Sequence, residues 1–276
     1  MSLKEKGRDW AKTFARKHVP SNCNQYKHLV HDVGTPGTNM LGLRCDSAPV
    51  EGKLVEQDEE LIAVKVGRNV FHIFPKAQLD NPTVVTGSTV RITPYARRSF
   101  DGLRLDAPRD INEVMSDGST YTCQRFTIGE DVSYLPVDKE ALQSSFLKDM
   151  ITQIEIIPAG DGIRKLSQVL IDAGASHGAV TYEDPPDSDP ISVRPALHFV
   201  INTAKHQGNF TIEYNRAIDY YDLKLTDKDG NVIKVIEDVD CVEQLAPAIV
   251  DLVDDGNWRF AKVELLKPAP KQRQSA

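Results

Sequence analysis

The sequence predicts an α+β protein in which a small antiparallel β-barrel of SH3 or OB type is followed by a mixed α+β domain. Between Gly52 and Tyr95 the chain runs as short apolar strands separated by turn residues, the signature of closely spaced antiparallel pairing. After Thr120 helix-period and strand-period segments alternate instead. The 276 residues exceed one typical domain of about 100–200, so several units are expected. The predicted divisions are a basic helical segment with a linker (1–48), the barrel (49–110), the α+β domain (111–267) and a polar tail (268–276).

Lys4 to His18 reads as an amphipathic helix, with Trp10 and Phe14 on one side and Lys and Arg around them, ended by Pro20. Docking of Trp10 and Phe14 on the barrel is the plainer expectation, and a basic arm for nucleic acid is the functional one. The run Gly34-Thr35-Pro36-Gly37-Thr38-Asn39 predicts a loop. In the barrel, Lys53–Gln57, Leu61–Val66, Val70–Phe74 and Thr89–Tyr95 are strand-length and rich in β-branched or aromatic residues. Short strands of this kind hide their edges by closing, or nearly closing, on themselves.

Beyond the barrel, Tyr121–Ile128 is expected as a strand, Lys139–Met150 as a helix capped by Asp138, Gln153–Ile157 as a buried strand and Gly162–Ala173 as a helix stopped by Gly174. The acidic, proline-rich run Glu183-Asp184-Pro185-Pro186-Asp187-Ser188-Asp189-Pro190 predicts an exposed loop. Strands follow at Leu197–Thr203, Phe210–Tyr214, Tyr221–Thr226 and Val232–Ile236, the last two joined by a hairpin turn at Lys228-Asp229-Gly230-Asn231. Cys241–Val253 is expected as a helix and Trp258–Leu266 as a closing strand of the same domain.

The series Gly52-Lys53-Leu54, Asp58, Val64, Gly67-Arg68, Val70, His72, Leu79, Gly87, Val90, Ile92 and Tyr95 resembles the KfrB-type domain, a small module of plasmid-borne and other mobile-element proteins. The resemblance covers about fifty residues and implies a genomic context of plasmid maintenance, conjugation or defence against the host. It brings no catalytic residue with it.

Charge divides unevenly along the chain. Residues 1–19 carry +4, residues 20–110 balance at eleven of each sign, and residues 111–276 carry −11, for a total of −7. Nucleic-acid contact therefore belongs on the amino-terminal half, because phosphate neutralisation needs clustered Lys and Arg. The strongest candidates there are Tyr95, Arg97, Arg98 and Phe100, with Arg91 and Arg104 beside them: rings that stack on bases, interleaved with guanidinium groups that pair with phosphates.

Other chemistry is read as structural. Cys23, His28, His31 and Cys45 contain zinc-ligand types at no known spacing, although His28 and His31 would share a face if they stood on a helix. His72, flanked by Phe71 and Ile73, is expected as a surface or satisfied core histidine rather than a general base. Gly160-Asp161-Gly162 lacks the rest of a phosphate loop. Glu183, Asp184, Asp187 and Asp189 form a solvated acidic loop before they form a cation site. No nucleophile elbow, metalloprotease or kinase motif is present, and the four cysteines hold no C-x-x-C pair.

The expected protein is thus a cytoplasmic, non-catalytic accessory factor without metal or cofactor. It would bind DNA or RNA through the barrel flank, with no apolar run long enough to enter a membrane. One alternative is a protein-interaction module whose acidic part docks on a basic host or element protein, in the manner of anti-restriction or plasmid-maintenance factors. Another is an enzyme hidden in residues 120–266.

Overall fold

The computed structural model describes residues 2–33, 37, 38, 40–125, 129 and 131–270. The fold is α+β, dominated by strands, and divides into two units: residues 1–96 with 258–276, and residues 97–257. Among the described residues no helix is long and apolar enough to cross a membrane.

The first unit begins with α1 (Leu3–His18), started by a capping box in which Ser2 and Glu5 satisfy each other's backbone N–H groups. Strands β1 (Lys27–Val30), β2 (Gly37–Thr38), β3 (Arg44–Cys45), β4 (Val50–Gln57), β5 (Leu61–Val66), β6 (Val70–Pro75) and β7 (Thr89–Thr93) follow. In the second unit β8 (Arg109–Val114) and β9 (Thr120–Arg125) precede α2 (Ser145–Ile156) and α3 (Leu166–Asp172). Then come β10 (Val180–Glu183), β11 (Ala196–Asn202), β12 (Gln207–Asn215), β13 (Tyr220–Asp227), β14 (Val232–Val239) and α4 (Leu245–Val253), before β15 (Lys262–Lys267) returns to the first unit.

The first unit is built on a six-stranded sheet of order β1-β6-β5-β4-β7-β15. Both faces are covered, which explains why Leu61-Ile62-Ala63-Val64 is apolar without alternation. Leu61 and Ala63 join Phe71, Ile73 and the α1 residues Ala11, Phe14 and Ala15, whereas Ile62 and Val64 join Leu54, Phe74, Val90 and Ile92 on the other face. Gly52 is fixed by close approach: a β-carbon there would lie 2.3 Å from the Lys65 carbonyl oxygen.

This sheet differs from the expected antiparallel barrel in three ways. β1 pairs with β6 in parallel, β15 supplies the last strand by pairing antiparallel with β7, and no pairing between β1 and β15 closes the sheet among the described residues. The expected divisions at 48, 110 and 267 therefore differ from the observed ones. A strand drawn from each end of the chain completes the sheet, and the chain passes to the second unit at Ala96–Arg97.

The second unit holds a five-stranded antiparallel meander, β10-β11-β12-β13-β14. Leu197, Phe199, Ile201, Phe210, Ile212, Leu223 and Leu225 share one core with residues of α2, α3 and α4. The Lys228–Asn231 turn joins β13 and β14 as expected. Gln153–Ile157, however, is not a strand: Leu147, Met150, Ile151 and Ile154 recur at helical spacing on the buried side of α2, and Ser144 rather than Asp138 caps that helix. Asp138 instead caps a single 3₁₀ turn at Lys139–Ala141. Helix α4 starts at Leu245, which leaves Pro247 in its first turn, where no intrahelical N–H is lost.

Gly37 and Thr38 pair with Arg44 and Cys45 rather than lying in a loop. Gly34, Thr35, Pro36 and Asn39 of that run fall outside the described residues, as do Phe126–Ile128 of the expected Tyr121–Ile128 strand and residues 271–276 of the tail.

Candidate nucleic-acid interface

The structure divides the six residues expected to bind nucleic acid between its two units. Arg91 is exposed on β7 but held between Glu51 (3.0 Å) and Glu264 (3.1 Å). The Tyr95 ring packs edge-on against Trp258 at 5.1 Å. Arg97 is only 3% exposed and Phe100 4%, the latter within the core of the second unit, so its ring offers no face for a base. Arg104 makes a two-pronged pair with Asp106 at 2.8 and 2.7 Å. Arg98 is exposed and donates to the Gly102 carbonyl at 2.7 Å. Arg91 and Tyr95 belong to the first unit and the other four to the second. Interleaved rings and guanidinium groups thus mark the stretch of sequence where the chain leaves one unit for the other, with Phe100 taken into a core and Tyr95 packed on Trp258.

The clustered positive charge lies elsewhere, on α1 and β1. In α1, Lys4, Arg8 and Lys12 follow one another at i, i+4 and i+8, the spacing of one helix ridge. The helix seats close to β1 because residue 7 is glycine, whose position leaves 2.7 Å between a would-be β-carbon and Val30 Cγ2. Phe14 meets Phe71 edge-on at 5.6 Å and the Trp10 ring lies tilted against Phe14 at 4.6 Å, so docking of both aromatics is observed.

Lys4, Arg8, Lys17 and Lys27 are exposed and make no ion pair among the described residues, whereas Lys12 pairs with Asp9 at 2.7 Å. His28, on β1, is pushed below the ordinary imidazole range, first by partial burial and then by the charges of Arg8 and Lys12. Arg8 and Lys12 thus lie near enough to His28 for their charges to act on it. Beside it, Arg16 donates to the Asn24 carbonyl at 2.8 Å and lies 5.9 Å from the Tyr26 ring centre.

Charge sorts sharply by unit. The first unit has 18 Lys and Arg against 11 Asp and Glu, net +7, and the second has 15 against 29, net −14, which together give the −7 of the chain. In sequence order this sorting is hidden, because Arg259, Lys262 and Lys267 follow the acidic domain in the chain but belong with the basic unit. The signal available beforehand was the Lys4–Arg8–Lys12 spacing.

A second polar cluster lies in the first unit. His31 follows β1, so it and His28 do not share a helix face; in extended chain, positions i and i+3 point to opposite sides. His31 Nε2 and His72 Nδ1 share one proton across 2.8 Å, and the His31 ring stacks on Phe74 at 4.3 Å. Burial, then His72, lowers the His31 pKa to about 4. The adjoining cleft of about 40 Å³, lined also by Asp32, Arg44, Asp46 and Gln78, has room for a few waters and not for a substrate. Among the described residues no set of three His, Cys, Asp or Glu is arranged to hold a metal ion.

In the second unit the carboxylates serve the fold. Asp184 accepts from Gln143 N and Ser144 N, both at 2.8 Å, and Asp187 accepts from Ser145 N at 3.0 Å, so the acidic loop caps α2. Asp161 fills its own glycine-flanked loop, accepting from the backbone N–H of Ile163 and Arg164 at 2.8 Å. The nearest approach to catalytic geometry is Thr211 Oγ1, 3.0 Å from His198 Nδ1, with Glu183 3.6 Å from His198 Nε2. Thr211 is buried and sits on the face of the meander opposite Phe210 and Ile212.

Comparisons with models of protein families, with curated proteins and with solved structures returned no match.

Proposed function

We propose that the chain is a non-catalytic accessory protein that holds DNA or RNA by its phosphate backbone through the Lys4–Arg8–Lys12 ridge of α1, with Lys27 and His28 of β1 beside it. The observation that carries this reading is the separation of charge, +7 in the unit that bears the ridge and −14 in the other. A local cluster of exposed cations attracts a polyanion even when the whole chain is acidic, since charges beyond about 10 Å are screened at physiological salt. The resemblance of residues 52–95 to the KfrB-type domain falls wholly within the basic unit and suits a role on a plasmid or other mobile element. The net −14 of the second unit favours a basic protein as an additional partner for that unit.

The test is fluorescence anisotropy of labelled single-stranded DNA, duplex DNA and RNA with the purified protein at low and physiological salt. Salt-sensitive binding is expected, with a strong loss in Arg8→Glu plus Lys12→Glu and little change in Arg98→Ala. Equal loss in both variants would move the site back to the 91–104 segment, and no binding at low salt would leave only the protein-partner reading.

A further inference from the structure

The ribbon of β8 and β9 lacks what a two-stranded sheet needs to stand in water. Its six pairs run in unbroken register from Arg109–Arg125 to Val114–Thr120, yet no residue of either strand is buried. Polar contacts hold it: Glu113 accepts from Arg125 at 2.6 Å and from the Tyr121 hydroxyl, and Thr122 donates to Asn112 at 2.7 Å. An isolated hairpin is marginal, and a third strand over an apolar face supplies what is missing. The ribbon has such a face, because Ile111, Tyr121 and Cys123 lie on one side with Arg109, Glu113 and Arg125.

The outer edge of β8 is open. Among the described residues, the backbone groups of Arg109–Val114 make no hydrogen bond beyond the β8–β9 ladder. The edges of the meander are blunted: β14 pairs with two register shifts and carries Lys234, which is paired with Asp251 at 3.7 Å, and β10 has only four residues. The outer edge of β9 is as regular as that of β8, but β9 carries no acidic residue to meet Arg125 across a two-fold axis. Strand β8 has neither bulge nor proline.

We infer that β8 is a dimerisation strand, pairing antiparallel with β8 of a second copy of this chain about a two-fold axis through Ile111. Charge selects this register. It sets Arg109 opposite Glu113 of the partner subunit, twice by symmetry, and Asp110 opposite Asn112, with the two Ile111 side chains facing each other. A slip that moves the axis between Ile111 and Asn112 sets Asp110 against Glu113, also twice. The product is a four-stranded sheet, β9-β8-β8-β9, with Ile111, Tyr121 and Cys123 of both copies on one face. It also doubles the number of basic ridges per particle.

Sedimentation velocity of the full chain without nucleic acid tests this separately from the proposed function. The wild type is expected to pass from one-copy to two-copy mass as concentration rises. Arg109→Glu and Glu113→Arg each weaken association by about tenfold, and their equimolar mixture restores it, because every altered charge then meets its opposite on the other variant. Oxidation gives a folding-independent check: Ile111→Cys forms a cross-linked dimer above the wild-type background and Asn112→Cys does not. One-copy mass at every concentration, or equal cross-linking of the two cysteine variants, overturns the inference.

Discussion

Gly7 of α1 and Val30 of β1 sit so close that a β-carbon on residue 7 would meet Val30 Cγ2 at 2.7 Å. The helix backbone rests directly on the Val30 side chain here, with nothing from residue 7 between them, and this contact brings the charge of Arg8 near His28. Gly7→Leu is expected to cost about 1–3 kcal/mol, since an inserted side chain must push α1 off the sheet and outweighs the better helix propensity of leucine. Urea denaturation measures the loss. An unchanged midpoint would mean that α1 docks without this contact.

The same ridge makes binding depend on pH. In the free protein Arg8 and Lys12 help keep His28 neutral; a bound phosphate offsets their charge, so the His28 pKa rises and the complex takes up a proton. Affinity should therefore increase as pH falls through the ordinary imidazole value near 6.5, by about threefold to tenfold between pH 7.5 and 5.5. Anisotropy titrations at the two pH values check this. His28→Gln should flatten the profile, and a profile that stays equally steep without His28 would place the titrating group elsewhere.

Much of the fold follows from local pattern. The α1 periodicity, the alternation of β11 to β13 and the Asp229-Gly230 turn depend on neighbours in sequence and were readable there. Strand β15 was readable as a strand but not as a partner of β7, because nothing in Lys262–Lys267 names a strand about 170 residues away. Gln153–Ile157 misled because its isoleucines carry β propensity, which the burial demanded of α2 overrides. The proposed site was half legible. Basic spacing on α1 was visible, but the fate of Arg97 and Phe100 was not, since burial is decided by which unit the chain enters after Ala96.

The shared proton of His31 and His72 predicts acid sensitivity of the first unit. His31 is depressed to about 4 when folded and titrates near 6.5 when unfolded, so its neutral form stabilises the fold fully above pH 6.5. As pH falls from 6.5 toward 4 the unfolded chain gains the proton first and stability is lost, by on the order of 2 kcal/mol for this group. Burial depresses His72 in the same direction. Of the charged groups near the pair, Asp32, Arg44 and Asp46 line the same cleft. Urea midpoints at pH 7.5, 6 and 5 should fall more steeply in the wild type than in His31→Gln. Parallel slopes would assign the acid loss to carboxylates.

Arg164 is the joint of the second unit. Its side chain is 1% exposed and is gripped by Asp161 at 2.8 Å, Asp172 at 2.9 Å and Asp254 at 2.5 Å. These acids come from the loop before α3, from the end of α3 and from the residue after α4, so one planar guanidinium ties two helix ends to a loop. Arg164→Met fits the space but leaves three carboxylates close together without a counter-charge, and is expected to cost about 3–5 kcal/mol. Arg164→Lys keeps the charge but cannot reach three acids with a fork, and should recover only part of that loss. If the arginine mainly organises the joint, replacing Asp161, Asp172 and Asp254 by Asn together with Arg164→Met should be milder than Arg164→Met alone, because no unpaired charge then remains. Thermal denaturation of the three variants decides: an Arg164→Met protein as stable as the wild type would show that the four charges contribute nothing net.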